Sequence, residues 1–229
     1  MPADGMDLTI IVPVLNEIET LPALLEHLTH WQSRGAEVLI VDGGSDDQTA
    51  KDVRHQGFAV IEAPRGRASQ MNAGAQASRT GNLVFLHADT RLPEQADLQI
   101  LAALRYSDVA WGRFDVQIEG ESKWLPIIAW FMNTRSRLTG IATGDQALFM
   151  TRQAFEEVGG FPDQPLMEDI EISRRLKQIA SPMCLWEKVT TSGRRWDARG
   201  SWRTIWLMWQ LRWAYWRGTP ADQLAERYL

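Results

Sequence analysis

Short runs of apolar residues that stop at acids or glycines dominate the first half of the chain. Residues 8–17 read LTIIVPVLNE and residues 36–45 read AEVLIVDGGS. Two further runs of this kind occupy residues 58–63 and 82–86. Short runs without polar alternation are typical of parallel strands that are buried on both faces. The pattern therefore predicts an α/β fold with a mostly parallel, Rossmann-like sheet flanked by helices.

Three of these runs end in a carboxylate, at Glu17, Asp42 and Asp89. Carboxyl ends of parallel strands meet at one edge of the sheet, which is where open α/β sheets bind ligands. A carboxylate there can accept the N–H of a nucleobase, and a glycine turn lets backbone approach a ribose or phosphate. Taken singly, each of these acids is explained equally well by a solvated strand end and by a role in ligand binding. Together they indicate a nucleotide site.

Helical patterns separate the strands. Apolar residues between Ile18 and Trp31 recur on one helical face, and Asn16 with Glu19 has the spacing of a capping box. Residues 122–142 are apolar but irregular, so they predict no regular element. Glu168 opens a predicted helix that runs to residue 179, with acids in its first turn as the helix dipole favours.

Near the C-terminus, tryptophans recur in steps of four and three, which places them on one face of a helix. That face must be covered, either by the rest of the domain, by a second subunit such as a homodimer partner, or by a membrane surface, whose headgroup region favours Trp and Arg. The residues are Trp202, Trp206, Trp209, Trp213 and Trp216.

The chain has 229 residues, 45% of them hydrophobic, which suits one α/β domain. We assign residues 1–197 to that domain, with a nucleotide half at about 8–106 and an acceptor half at about 107–197. Residues 198–229 form a Trp-rich helical extension.

Charge and cysteine content narrow the function classes. A net charge of −5 argues against a general nucleic-acid binder, while twenty arginines against four lysines suit phosphate contacts. Cys184 is the only cysteine, so we expect no intrachain disulfide and no cysteine metal cluster. The first residues show no basic region followed by an apolar stretch, and no apolar run is long enough to span a bilayer. We therefore expect a cytoplasmic protein, with peripheral attachment at the inner face of the membrane left open.

The opening motifs resemble those of family 2 nucleotide-sugar glycosyltransferases. The matching segments are IVPVLNE at residues 11–17 and VDGGSDD at residues 41–47. This resemblance implies a GT-A fold with inversion at the anomeric carbon. It also implies that Glu17 and Asp42 hold the base and ribose, and that Pro13 shapes the loop.

The segment RGRASQMNAG at residues 65–74 resembles the basic loop that follows the third strand in this family. It implies that Arg67 reaches the base or diphosphate and that Asn72 helps to hold the nucleotide, whereas Gly74 is better explained by packing. His87-Ala88-Asp89 stands where the family usually has Asp-x-Asp. Asp89 matches the acid that binds Mn²⁺ or Mg²⁺, and His87, which departs from the motif, would contact ribose or metal.

The second half of the resemblance covers residues 144–150, 158–162 and 167–176. It implies that Asp169 is the general base and Glu168 its neighbour, with Gly144 and Asp145 on the acceptor side. Gly193-Arg194-Arg195-Trp196 resembles the Arg-Trp of the Gln-x-x-Arg-Trp element, so Arg195 and Trp196 would act in closure. Ser192 replaces the glutamine, and processivity is therefore not supported.

The resemblance implies transfer of a sugar from a nucleoside diphosphate to an acceptor hydroxyl, helped by a divalent cation. Lipid-linked acceptors stay open, and the residues identify neither sugar nor nucleotide. Two other functions also stay open. One is a degenerate module that binds nucleotide without catalysis, and a more remote one is a sugar nucleotidyltransferase, although the first strand is not followed by the Gly-rich basic loop expected of that class.

Overall fold

The structure is a computed structural model that describes residues 6–106, 108–199 and 201–228, without the side chains at 195, 198, 199, 201–203 and 228. Residues 1–5, on which the expectation of no export signal partly depends, lie outside this description. The side chains of Arg195 and Trp202 lie outside it as well.

Strands and helices alternate through the first half, as predicted. The strands are β1 (Thr9–Val14), β2 (Glu37–Asp42), β3 (Ala59–Glu62), β4 (Asn82–Phe85), β5 (Thr90–Arg91), β6 (Trp111–Glu119), β7 (Leu148–Thr151) and β8 (Met183–Ser192). The helices are α1 (Leu21–Ser33), α2 (Thr49–His55), α3 (Arg67–Ala77), α4 (Ala96–Leu104), α5 (Leu125–Thr139), α6 (Arg152–Glu157), α7 (Glu168–Leu176), α8 (Arg194–Arg199), α9 (Ser201–Trp216) and α10 (Ala221–Tyr228), and a 3₁₀ turn spans Gly144–Gln146.

The strands form one sheet in the order β3-β2-β1-β4-β7-β6-β8-β5. Strands β3, β2, β1 and β4 are parallel neighbours, and β6 is parallel to β8. Strand β7 is antiparallel to both β4 and β6, and β5 is antiparallel to β8. The sheet is therefore mixed, with a parallel nucleotide half.

Two apolar layers cover the sheet, and alternation along β1 divides its side chains between them. Ile10 and Val12 pack in the layer that includes α1, α4 and α5, whereas Ile11 packs in the layer that includes α3, α6 and α7. Side chains of successive strand residues point to opposite faces, so burial on both faces follows from helices on both sides. This arrangement leaves the strand ends as the place for a ligand.

Two local predictions were wrong. Residues 125–139 form α5, although the segment reads as irregular, because several of its large apolar side chains are exposed and hide the helical period. Helix α1 begins at Leu21 with Thr20 as its N-cap and no side-chain cap, so Asn16 and Glu19 do not form a capping box. Among the described helices, none is both long and apolar enough to cross a bilayer.

Candidate active site

The carboxyl ends of β1, β2 and β4 meet at one edge of the sheet, together with the beginning of β7. Phe85 at the end of β4 pairs with Leu148 at the start of antiparallel β7. The 3₁₀ turn before β7 therefore lies beside His87 and Asp89, which follow β4. This pairing joins the parallel strands of the first half to the strands of the second half.

Asp42 is buried at the end of β2, with 4% of its surface exposed. Its Oδ2 accepts hydrogen bonds from the backbone N–H groups of Gly44 and Ser45, both at 3.0 Å, and its Oδ1 accepts one from the Ser45 hydroxyl at 2.5 Å. These bonds fix the glycine turn after β2. A cleft of about 570 Å³ opens beside Asp42, between the ends of β2 and β3.

The loop after β1 is tied to the turn after β2. The backbone N–H of Asn16, a residue in the left-handed region with φ 53°, donates to Ser45 Oγ at 2.9 Å. The N–H of Glu17 donates to Thr49 Oγ1 at 3.0 Å. The Glu17 carboxylate accepts from the Thr20 hydroxyl at 2.7 Å and lies 3.9 Å from Arg194 Nη2. Arg194 belongs to the arginine pair of the Gly193–Trp196 motif, and its contact with Glu17 was not predicted from the sequence.

Pro13 lies inside β1 rather than in the loop that it was expected to shape. It stands opposite Val41 of β2, while pairing with β4 covers only residues 9–11. A proline cannot donate to a strand ladder, so it is tolerated on the side where the β4 ladder has already ended.

Arg67 and Asn72 both belong to α3 but occupy different surroundings. Arg67 is exposed, and its charge acts on the buried Glu168. The Asn72 side-chain amide donates to the carbonyl of Phe161 and accepts from its N–H, both at 2.9 Å. Asn72 thus joins α3 to the acceptor half, and its role towards a nucleotide stays a prediction. Gly74 packs closely, since a Cβ there would overlap Ile11 and Val41, which confirms the packing interpretation.

His87 and Asp169 both contact the 3₁₀ turn that contains Asp145. His87 Nδ1 lies 3.3 Å from Asp145 Oδ1, and the His87 ring lies so close to Gly144 that a Cβ at residue 144 would overlap it. The backbone N–H of Gly144 donates to Asp169 Oδ2 at 3.0 Å. Three residues predicted from separate motifs are therefore brought together.

Glu168 is buried next to Asp169, with 6% of its surface exposed. Burial, together with the neighbouring Asp169 carboxylate, raises the pKa of Glu168 from 4.5 to about 7. The charges of Arg67 and His87 oppose this rise. A buried carboxyl group with a perturbed pKa and identified charge partners is a candidate for a functional role.

Asp89 is partly exposed, and its Oδ1 accepts only a long bond, 3.4 Å, from the Thr90 hydroxyl. Among the described residues, no group of three or more His, Cys, Asp or Glu side chains could hold a metal ion. Mg²⁺ and similar cations in nucleotide enzymes commonly use one or two carboxylates and complete their shell with phosphate oxygens and water. Asp89 fits a cation shared with a diphosphate.

Helices α5 and α9 each contribute an arginine that sequence reasoning did not assign to the site. Arg212 on α9 lies near enough to Asp169 and Asp145 for both carboxylates to raise its pKa, although burial lowers it overall. Arg135 on α5 is likewise influenced by Asp169. The large excess of arginine over lysine was the one sequence signal for such a cluster.

Trp196 on α8 is partly buried and packs against the main core. Four tryptophans of α9 are instead exposed at 60–82%: Trp206, Trp209, Trp213 and Trp216. Helix α9 packs through its other face, where Leu211 contacts the cluster around Met167 and Leu224. The explanation that the described tryptophans pack against their own domain is therefore wrong.

These features define an α/β protein of the GT-A type, with its site at the carboxyl edge of the sheet, and the solved structures it resembles are of that type. The chain belongs to glycosyl transferase family 2, whose model matches residues 9–159. Both the predicted family and the predicted fold class are confirmed.

Relatives and solved structures resemble the chain over most of its length. An uncharacterized glycosyltransferase of Mycobacterium tuberculosis (strain ATCC 25618 / H37Rv) is 31% identical over 142 residues, which cover 58% of this chain and 63% of the relative. A mannosyltransferase from Pyrobaculum calidifontis in complex with GDP-Man and Mn²⁺ has a TM-score of 0.65 at 20% identity, covering 93% of this chain and 62% of that one. S. aureus TarS 1–349 in complex with UDP-GlcNAc has a TM-score of 0.63 at 16% identity, covering 81% and 58%. The chain thus spans less than two thirds of each of these proteins.

Proposed function

We propose that this protein transfers a sugar from a nucleoside-diphosphate sugar to an acceptor hydroxyl. The observation that carries the proposal is the order of carboxylates along one sheet edge. Asp42 lies at the end of β2, Asp89 after β4, and Asp169 against the turn that enters β7. This order matches a donor nucleotide, its diphosphate and an acceptor laid out in sequence.

The nucleotide is assigned to the cleft beside Asp42. The Asp42 carboxylate orients the turn through Gly44 and Ser45, whose backbone then faces the ligand at close range. Glu17 is held near this turn by the bonds of its loop to Ser45 and Thr49. The exposed Arg67 supplies a guanidinium for the base or the diphosphate.

Asp169 is assigned as the general base. Its carboxylate takes the proton of the acceptor hydroxyl while the acceptor oxygen forms a bond to the anomeric carbon. The bond from that carbon to the diphosphate oxygen breaks, and the nucleoside diphosphate leaves with the bonding electrons. One displacement inverts the anomeric centre and needs no covalent enzyme intermediate.

A divalent cation, Mn²⁺ or Mg²⁺, would be held by Asp89 together with diphosphate oxygens, and when bound it offsets the negative charge of the leaving group. His87 would contact the ribose or the metal, and its distance of 3.3 Å from Asp145 links this position to the acceptor side. The neighbour solved with GDP-Man and Mn²⁺ supports this class of donor and cofactor.

The aromatic face of α9 is assigned to a membrane surface. Trp213 is stacked with Arg217, whose guanidinium lies 4.9 Å from the ring centroid, and helix α5 exposes Trp130 and Phe131 as well. Exposed tryptophan with arginine is typical of helices that lie in the headgroup region of a bilayer. The protein would then meet its acceptor at the inner face of the membrane.

A thermal-shift panel tests the proposal on purified protein with UDP-, GDP-, dTDP- and CDP-sugars, each with and without Mn²⁺. We expect one nucleotide class to stabilise the protein and Mn²⁺ to increase the shift. The Glu26→Gln variant, which changes an exposed acid of α1 outside the site, should behave as wild type, whereas Asp42→Ala should lose the shift. Stabilisation by nucleotide without any effect of metal, and without transfer, would favour the degenerate binding module.

A further inference from the structure

Two arginines beside the acid cluster carry N–H groups that are buried without a hydrogen-bond acceptor. Within the described residues, Nε and Nη2 of Arg135 and Nε of Arg212 have no partner. Buried polar groups in native proteins are nearly always satisfied, and buried charges are paired. The unpartnered N–H groups of Arg135 and Arg212 are therefore available to donate hydrogen bonds to an anion.

The neighbouring Arg113 and Arg137 also carry a buried Nε without a partner, but they differ from Arg135 and Arg212 because they form ion pairs. Arg113 and Arg137 both form ion pairs with Asp115, and Arg137 also donates to the carbonyl of Cys184 at 3.0 Å. These two arginines hold β6, α5 and β8 together. No ion pair is formed by Arg135 or Arg212 with the described residues, so neither serves as such a brace.

Helix α5 is nonetheless fixed where it carries Arg135. The side chain of Asn133, two residues earlier, donates to the carbonyl of Val116 and accepts from its N–H, both at 2.9 Å. Arg135 is thus presented from a rigid turn of helix. Such placement reduces the entropy lost when a ligand binds.

Helix α9 brings Arg212 to the same region from the C-terminal extension. Leu211 packs with Met167, the residue that precedes Glu168 and Asp169, and the Tyr215 hydroxyl lies 3.4 Å from Gln164 Nε2. Burial and the charge of Arg212 together lower the pKa of Arg135 to about 10, and burial also lowers the pKa of Arg212. Asp169 raises the pKa of both arginines and Asp145 raises that of Arg212, but these carboxylates only partly offset the effect of burial.

We propose that Arg135 and Arg212 together bind a phosphate group carried by the acceptor. Two guanidinium forks match the charge and the oxygen geometry of a phosphate dianion. Their position beside Asp169 and Asp145, rather than beside Asp42, assigns this phosphate to the acceptor and not to the donor. That the phosphate belongs to an acceptor rests on the proposed function. Binding of an anion by the two arginines can be tested without any transfer.

The first experiment measures the affinity of inorganic phosphate by thermal shift, against chloride at equal ionic strength. We expect phosphate to stabilise the wild type, and Arg135→Gln or Arg212→Gln to weaken its affinity roughly tenfold or more. Arg174→Gln, which changes an exposed arginine of α7, should retain the wild-type affinity. Arg135→Lys and Arg212→Lys keep the charge but lose the fork, and they serve if the glutamine variants fail to fold.

The second experiment separates the acceptor from the donor. UDP and GDP are titrated into the same variants, in the presence and absence of phosphate. Unchanged nucleotide affinity and simultaneous binding of phosphate support an acceptor site. Competition between phosphate and the nucleoside diphosphate, or loss of nucleotide affinity in the variants, would overturn that assignment, as would equal phosphate affinity in all variants. If no nucleotide binds but phosphate still depends on both arginines, the proposed function fails while the anion site stands.

Two phosphate carriers remain to be distinguished in a third arm. Phosphatidylcholine vesicles with and without phosphatidic acid are compared with glycerol phosphate in solution. Tighter binding to phosphatidic acid vesicles that depends on Arg135 indicates a lipid phosphate, whereas Arg135-dependent binding of glycerol phosphate alone indicates a soluble one. If Arg135 affects binding neither to phosphatidic acid vesicles nor to glycerol phosphate, the result contradicts the proposal.

Discussion

The backbone N–H of Gly144 donates a hydrogen bond of 3.0 Å to the carboxylate of Asp169, although 25 residues separate them. This bond connects the first turn of α7 to the turn that enters β7. It fixes Asp169 relative to His87, whose ring packs against Gly144. The position of the proposed base is therefore set by the backbone of the sheet edge and not by its own helix alone.

Asp169→Asn should retain donor binding and lose transfer. Asparagine keeps an oxygen that accepts from Gly144 but has no basicity, so we expect turnover to fall by roughly 10² to 10⁴. Turnover and nucleotide affinity are measured on the same preparation, with Glu171→Gln as a control on the same helix. Near-normal turnover would remove Asp169 from the role of base.

Asp42→Ala should weaken nucleotide binding and also loosen the turn after β2. The variant leaves the N–H groups of Gly44 and Ser45 without their acceptor, which costs roughly 1–3 kcal/mol of stability. We expect nucleotide affinity to fall at least about tenfold, since each factor of ten corresponds to about 1.4 kcal/mol. Asp46→Asn, at an exposed position of the same loop, should change neither quantity, and an unaffected Asp42 variant contradicts the assignment.

Gly144→Ala should disturb the site by steric overlap with His87. A Cβ at residue 144 would meet the imidazole ring, so the ring must move and we expect about 1–3 kcal/mol of destabilisation. Adding His87→Ala to this variant should restore most of the stability. A double-mutant cycle by chemical denaturation measures the coupling, and additive effects would show that the two side chains do not collide.

Glu168 makes the stability of the protein depend on pH. Its pKa is raised from 4.5 to about 7, so between these values the native state keeps a proton that the unfolded chain has lost. The contribution of Glu168 to the free energy of unfolding therefore falls as pH rises through this window, by roughly 3 kcal/mol at most, and is constant on either side. Denaturation at a series of pH values checks this slope, which Glu168→Gln should remove. An identical slope in wild type and variant would assign the effect to other groups.

Replacing the exposed tryptophans should abolish membrane association without unfolding the protein. We expect the triple variant Trp206→Gln, Trp209→Gln and Trp213→Gln to lose co-sedimentation with phosphatidylcholine and phosphatidylglycerol vesicles. Trp186→Gln, which removes an exposed tryptophan of β8, is the control. A different result would show that a second subunit covers this face: the wild type does not bind vesicles and sediments as a dimer, whereas the triple variant sediments as a monomer.

The nucleotide half was predicted from the sequence because its strands and the acids near their ends are visible in short segments of the chain. Buried parallel strands appear in the sequence as continuous apolar runs. Asp42 is the last residue of β2, and Asp89 lies in the loop after β4. The capping box at Asn16 was wrong because that side chain accepts from the N–H of Asp46, a contact between two loops. Spacing alone could not distinguish a helix cap from such a link.

The arginine pair could not be predicted, because it depends on how distant elements return to the site. Arg135 lies on α5, whose helical period is masked by exposed Trp130 and Phe131. Asp169 influences the pKa of Arg212 because α9 packs against Met167, two residues before Asp169. Local sequence patterns do not show how either helix is placed relative to the site.

The paired hydrogen bonds between Asn72 and the backbone of Phe161 have a mechanical consequence. They connect α3, on the proposed donor side, to the segment that leads into α7, on the proposed acceptor side. Because Phe161 contributes only main-chain atoms, these two bonds do not depend on the chemistry of its side chain. A shift of the segment that leads into α7 therefore requires either an accompanying shift of α3 or the loss of both bonds.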